Sequence, residues 1–557
     1  MQHCLKNSFF YILFFISTLV VAQNQEKDDY IRILHANHAS TSNKYPGKQL
    51  LSGNVEIEHN GAFLFCDKAI VDKNDNLAIA VGNVLLKQGD TITMRAGFLR
   101  YNGNESFAEA YENVELEDPK MKLQTDTIYF DRQLQIAYYT SGGIIQDSVN
   151  TLTSKIGKYF FNEKRFRFIN NVHIKNPDYQ IDSYQLDYFT ETGISDFNGP
   201  TKIYNTDSYI YAEKGHYDSH REVSWFVKNS FIKHKHTSIK ADSLFYDRKI
   251  EYATGNKNVI VFDSINNTWI FTDLAQRWIN KDSIRVSQNP LVVTISDKDT
   301  VYIKARQFIM KGLNKNKILW AYTNVRFYSK DFSARADSLY RNESKRIMKL
   351  LQKPVLWSEK NQITGKSILL KNDSLNRIDS LIIPEKVFII QEDDNGFNQI
   401  KGKKLLGKFK DKQLKTIDIL GNAEVIYYLR EEDATLMGIE KNKSSRIYIE
   451  FKEGEISLIR FYNKPEGIVY PYKDFPEKEK FFPGFEWRKS ERITSKEQLI
   501  GDKKLNFNPQ PKQKPVFQTE EVIDTKMFKK NSKRIKNIPD NLSQVRKNLN
   551  KNKSRPE

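Results

Sequence analysis

Apolar and polar residues alternate with period two over short stretches of this chain, and the stretches recur. Val55 and Ile57 alternate with Glu56 and Glu58, His59-Asn60-Gly61 is turn-like, and Ala62 to Val71 forms a second stretch. Lys73-Asn74-Asp75-Asn76 turns again, and Leu77, Ile79 and Val81 lead into Gly82-Asn83-Val84. Alternation bounded by Asn, Gly and Asp predicts strands joined by hairpins, about three short strands per unit and no helix. The landmark triplet returns about every thirty residues, which predicts one supersecondary unit stacked many times. It stands at Gly53-Asn54-Val55, Gly82-Asn83-Val84, Glu112-Asn113-Val114, Gly142-Gly143-Ile144, Asn170-Asn171-Val172, Asn229-Ser230-Phe231, Lys257-Asn258-Val259 and Thr323-Asn324-Val325. Looser returns follow at Lys353-Pro354-Val355 and Gly421-Asn422-Ala423.

Within the unit, Ser238 to Asp247 is echoed by Phe332 to Tyr340, Leu123 to Asp131 and Tyr179 to Asp187. Ile239 and Ala241 share one parity while Leu244 and Tyr246 take the other. A strand keeps its apolar face across such a switch only by bulging or bending, which places a corner at Asp242. The same reading puts corners at Asp67, Asp126, Asp182, Asp273 and Asp337. One carboxylate per unit falls short of the six to eight oxygens of a calcium site, so these Asp residues read as satisfying local backbone.

Composition agrees with an all-β chain: 28 Tyr and 35 Phe stand against 7 Met. Phe9 to Val21 is an apolar run of about 13 residues, short of the ~20 of a membrane helix, and Val20-Val21-Ala22 has signal-peptidase spacing. Residues 1–22 therefore read as a signal peptide, which leaves Cys66 as the single cysteine of an exported chain. The net charge of +18 is concentrated near the end, where Lys526 to Arg555 holds one acid, Asp540, among many Lys and Arg. This stretch reads as a disordered basic tail, suited to an anionic lipid or polysaccharide surface rather than nucleic acid in an exported protein.

Gly-Asn-Val-x-Ile, a turn, then a strand ending Ala-Asp-x-hydrophobic-x-Tyr-Asp resembles the OstA-like (organic solvent tolerance) family. The matches are strongest over Gly53 to Asp72, Gly82 to Tyr101, Asn113 to Asp131 and Ser230 to Asp247. The resemblance implies an elongated, V-shaped (taco-like) β-jelly roll in the periplasm, associated in some members with the outer membrane. It implies a groove that shields the acyl chains of lipopolysaccharide or a related anionic glycolipid, contributing to outer-membrane assembly. Partners implied are other jelly-roll components of the transport machine and head-to-tail copies. The resulting division is 28–300 as OstA-like repeats and 301–465 as a divergent continuation. Residues 466–490 form an aromatic, proline-rich cap or docking segment, and 491–557 a basic disordered tail.

The groove lining is then expected at Val55, Ile57, Val84, Leu86, Ile92, Met94, Val114, Leu116, Leu123, Val172, Ile174, Ile239, Val259 and Val261. Burying one methylene is worth ~0.8 kcal/mol, so a ladder of near-equivalent apolar rungs lets an acyl chain move with small net changes. The same residues also suit an ordinary closed core. Catalytic motifs are missing, no cofactor or metal is expected, and His234-Lys235-His236 offers at most two imidazoles on one strand face. A structural β-repeat array at the cell envelope is the alternative function, and a polysaccharide-acting β-helix enzyme a more remote one.

Overall fold

A computed structural model describes residues 30–514, apart from 43–44, 60, 89–91, 118, 120, 297–298, 314–315, 375–376, 411–412, 432, 454 and 503. The expected signal peptide and the stretch from Lys526 to Arg555 lie outside the described residues. Within the described residues, 38 strands pair antiparallel into one continuous sheet. The helical elements are three single turns of 3-10 helix and the four-residue helix Glu497–Ile500. No helix there is long and apolar enough to cross a membrane.

Most repeats up to Trp278 contain two long strands, not three short ones: Val223–His234 pairs with Thr237–Asp247, which pairs with Tyr252–Asp263, whereas around residues 139–156 and after Trp278 many strands are split at the corner. The strand continues through the Asn-led triplet because a bulge there preserves pairing on both sides. Lys228 and Asn229 (φ 61° and 58°) together oppose Asp242, and so do Lys257 and Asn258 (φ 58° and 50°). Asn tolerates the left-handed region better than other residues with a Cβ, which explains its recurrence. Asn258 Nδ2 donates to Asp242 Oδ2 at 2.9 Å, and Asn83 Nδ2 to Asp67 Oδ2 at 3.0 Å. Asp67, Asp126, Asp273 and Asp337 occupy the same corner.

Asp182 does not. The register shifts of its strand fall around Tyr184, which opposes Asn170-Asn171, while Asp182 stands in the regular ladder with its Oδ1 2.7 Å from His173 Nδ1. The histidine expectation also changes: His234 ends a strand and His236 lies in the following turn, so they do not share a strand face. His234 Nδ1 is 2.7 Å from Ser208 Oγ.

The bulges bend every long strand at the same place, so the sheet is doubled along a corner line into two facing halves. Ile57 and Leu64 from one half share a core with Ala69, Val71 and Ala80 from the other. Cys66 is buried in that core, where burial pushes its thiol up to about 11. It is a small core side chain that hydrogen-bonds Lys68 O, at 3.2 Å.

From Pro471 the chain reverses and runs back over the outer face of the first half as a strap. Phe475 and Phe482 are buried against Phe388, Ile390, Ile426, Tyr428 and Ile439. Gln399 mimics a partner strand: its Nε2 donates to Lys480 O at 2.7 Å and its Oε1 accepts from Phe482 N at 3.0 Å. Gln362 does the same for Glu486 O and Arg488 N, both at 2.7 Å. Farther along, Ile500 and Leu505 pack on Trp269, Leu291 and Val293, and Phe507 meets Trp269 edge-on at 5.4 Å. Lys512 O accepts from Asn229, and Tyr211 Oη accepts from Lys514 N at 3.0 Å. Residues 491–514, expected as disordered tail, are therefore seated, because Ile493, Leu499, Leu505 and Phe507 supply apolar contacts among their charges.

Ion pairs also tie the strap down, among them a cluster at Glu491. Glu491 accepts from Arg335 Nη1 at 2.7 Å and from Arg488 Nε at 2.9 Å. The Arg488 hydrogen bond, ahead of opposing burial and the Arg335 charge, holds its carboxyl below the ordinary 4.5. A depressed carboxylate contributes stability above its unfolded value and loses it as pH falls through the folded one. Glu491→Gln should therefore lower the urea midpoint at pH 7, and the gap to the wild-type chain should narrow as pH falls below 4.5.

Candidate binding groove

The two halves face one another across aliphatic ladders that the cross-strand register makes continuous. On the first half, Ile33, Ile57, Leu64, Leu86, Met94, Leu116, Leu123, Ile145, Leu152 and Ile174 stand directly opposite one another in succession. Ile181, Ile203, Ile210, Ile232, Ile239, Val261, Ile270, Val292 and Ile303 continue the row. Phe327, Ala334, Leu356, Ile363, Ile389, Ile400 and Val425 complete it, before Asn442 ends it. Directly opposed side chains are the unit of sheet stabilisation, and here they also form one uninterrupted apolar stripe.

The facing half mixes large and small residues. Phe168, Leu186, Phe197, Gly215, Phe226, Leu244, Gly255 and Ala275 are opposed in turn. At Gly157 a Cβ would sit 2.4 Å from the Tyr139 ring, so glycine is required where that ring crosses the interior. Tyr139 Oη pairs with Ser154 Oγ at 2.7 Å, satisfying its polar end.

Depth separates the expected lining residues. Val55, Val84, Val114, Val172 and Val259 sit at the corner line and are buried as a spine. Ile57, Met94, Leu123, Ile174 and Val261 are buried in the ladder, whereas Leu86, Leu116 and Ile239 are only half-buried. Ile92 pairs with Gln88 at a strand end. Reasoning from the sequence did not single out Ile145, Ile203, Ile232 and Phe226, which are half-buried on the same inner face. Their place in the period-two pattern was the available signal.

The ladder closes along the chain. Ile203, Ile232 and Ile239 are half-buried, but Leu356, Ile363, Ile389, Ile400 and Val425 are 0–2 % exposed. On the facing half Ile368, Ile383, Leu405, Ile419 and Ile447 reach 0 %. The far edges of the halves touch at His59 and Tyr101, whose rings are 5.4 Å apart, and at Lys317 and Asp263, 3.5 Å apart.

Two residues nearer the turns on the same face of the facing half, a more polar row runs Tyr188, Ser195, Tyr217, Ser224, Tyr246, Ala253 and Arg277. Burial pushes Tyr188 up to about 12 and raises Tyr217 and Tyr246. Outside the groove, a cleft of ≈ 710 Å³ opens at the corner between Asn113, Asp126, Gly142 and Lys155. Among the described residues no group of three or more His, Cys, Asp or Glu is placed to hold a metal ion.

Residues 28–184 match the family described as OstA-like protein, so the N-terminal repeats are OstA-like. A solved structure described as LptH, the LptA homologous periplasmic component of the conserved lipopolysaccharide transport device from Pseudomonas aeruginosa, is similar at 12% identity. The match covers 26% of this chain and 96% of that one, with a TM-score of 0.21. No curated protein matches the sequence.

Proposed function

We propose that this chain is a periplasmic carrier of lipopolysaccharide or a closely related anionic glycolipid, holding acyl chains between the two halves of its doubled sheet. The observation that carries the reading is that Ile203, Ile232 and Ile239 are only half-buried on the ladder, with Ile210 between them 8 % exposed. A closed core would bury those residues as fully as Ile363 and Ile389. Aliphatic rungs at the strand spacing of about 4.8 Å, with no single deep pocket, favour passage over capture. The OstA-like match over 28–184 supports the same assignment, and carriage needs no catalytic group.

The test is co-elution of purified lipopolysaccharide with the purified chain in gel filtration. Retention of the intact glycolipid, but not of its deacylated polysaccharide, is expected. Retention of the polysaccharide alone would favour the envelope-array alternative.

Among the described residues the end strands pair on one side only, and such edges suit pairing with another jelly roll, either a second copy or a component of the same machine. Glu466–Tyr470 is the last strand, and its Ile468 and Val469 are 57 % and 59 % exposed. Placing lysine at both positions should abolish end-to-end oligomers in chemical crosslinking while leaving the melting temperature unchanged. Oligomers that persist would move the contact elsewhere.

A further inference from the structure

We infer that the cargo groove ends inside the array, where Lys317 crosses to Asp263, and that Arg277 beside this end takes the anionic head group of the cargo. The inference rests on the carrier reading above and adds where the cargo stops and what recognises it.

The end of the groove follows from burial. The inward ladder tightens from half-buried Ile239 through Val261 and Ile270, both 7 % exposed, to Ile303 at 3 %, and offers an acyl chain no reachable surface at Ile363 and Ile389, 0 % and 2 % exposed. Close-packed interiors admit no chain without parting their side chains. The boundary is marked by a polar bar. Lys317 Nζ lies 3.5 Å from Asp263 Oδ2 and 3.8 Å from Glu343 Oε1, with the lysine side chain 14 % exposed. It joins the turn end of one half to the turn end of the other, across the mouth.

Arg277 stands just before that bar on the inner face. Register carries the row from Arg277 through Ile284 and Met310 to Leu319, two residues beyond Lys317. Its Nη2 donates to Asp282 Oδ1 at 3.0 Å, but its Nη1 is buried without a hydrogen-bond partner. A desolvated guanidinium N–H without an acceptor is an unfavourable arrangement that phosphate or carboxylate oxygens relieve, and the planar fork suits them. The preceding positions of the row are hydroxyl, aromatic or small, so Arg277 is its first cation. Hydroxyls that slide past a head group, followed by one fixed cation where the apolar track stops, define a terminal site for a phosphorylated, acylated amphiphile.

The experiment uses the full chain carrying a photoreactive side chain at Ile232 or at Ile389, with Arg277 intact or as Arg277→Gln. The probes are purified lipid A bearing both phosphates and its dephosphorylated counterpart. Adducts are expected at Ile232 and not at Ile389. Arg277→Gln should weaken capture of the phosphorylated lipid about tenfold, the scale of one charge-assisted contact, and leave the dephosphorylated lipid unchanged. Arg277→Lys, which keeps charge without the fork, should recover part of the loss. Adducts at both positions would overturn the internal end while sparing the carrier reading. An equal loss for both lipids would reduce Arg277 to a structural role, and adducts at neither position would remove the carrier reading itself.

Discussion

A chain ending at Tyr470 loses its C-terminal half to unfolding or aggregation, whereas one ending at Lys514 keeps the stability of the full chain. The strap covers an apolar outer face that a free-standing sheet would keep polar. Removing it takes away the burial of Phe475, Phe482, Ile493 and Leu499 and exposes their seats, which include Val293, Ile390 and Tyr428. At about 1.5–3 kcal/mol per large apolar side chain, the four alone account for on the order of 6 to 12 kcal/mol, before the ordering entropy recovered. That is comparable to the whole stability of a typical domain, about 5–15 kcal/mol. Urea unfolding followed by tryptophan fluorescence reports the change, since Trp269 and Trp357 lie in this part of the array and Trp487 lies in the strap itself. An unchanged midpoint for the shorter chain would show that the strap is a passenger.

The second large effect separates the closed ladder from the open one. Ile363→Asp places a carboxylate at a 0 % exposed position directly opposite Leu356 and Ile389. An uncompensated buried charge costs about 3–5 kcal/mol, so this variant should accumulate poorly or melt far below the parent chain. Ile232→Asp puts the same group on the same row where it is half-buried. Its cost should be about 1–2 kcal/mol, leaving a folded chain that no longer retains glycolipid. Equal destabilisation by both changes, measured by thermal melts, would mean that the interior is closed throughout.

The sequence made the repeat, the strand parity and most of the corners legible, because Asn-led triplets and Asp recur where each bulge needs them. Asp182 misled because it lies two residues before the corner at Tyr184, in a strand whose spacing otherwise fits. The strap left a signal that was available: Val259-Ile260-Val261-Phe262, Leu291-Val292-Val293 and Val387-Phe388-Ile389-Ile390 are apolar on both parities, unlike Val55-Glu56-Ile57-Glu58. Strands apolar on both faces belong to a sheet covered on both sides. Which later residues supply the cover is not local information, nor is the distance between the halves that leaves Ile232 accessible and seals Ile389.

Site-specific photocrosslinking in cells that make the protein tests the central claim most directly, with the reactive residue at Ile239 and, one position along the same strand, at Lys240. Ile239 points between the halves and Lys240 away from them. Adducts containing lipopolysaccharide at Ile239 and none at Lys240 are the predicted result. Adducts at Lys240 alone, or none at either position in a folded and exported chain, would contradict a lipid path between the two halves.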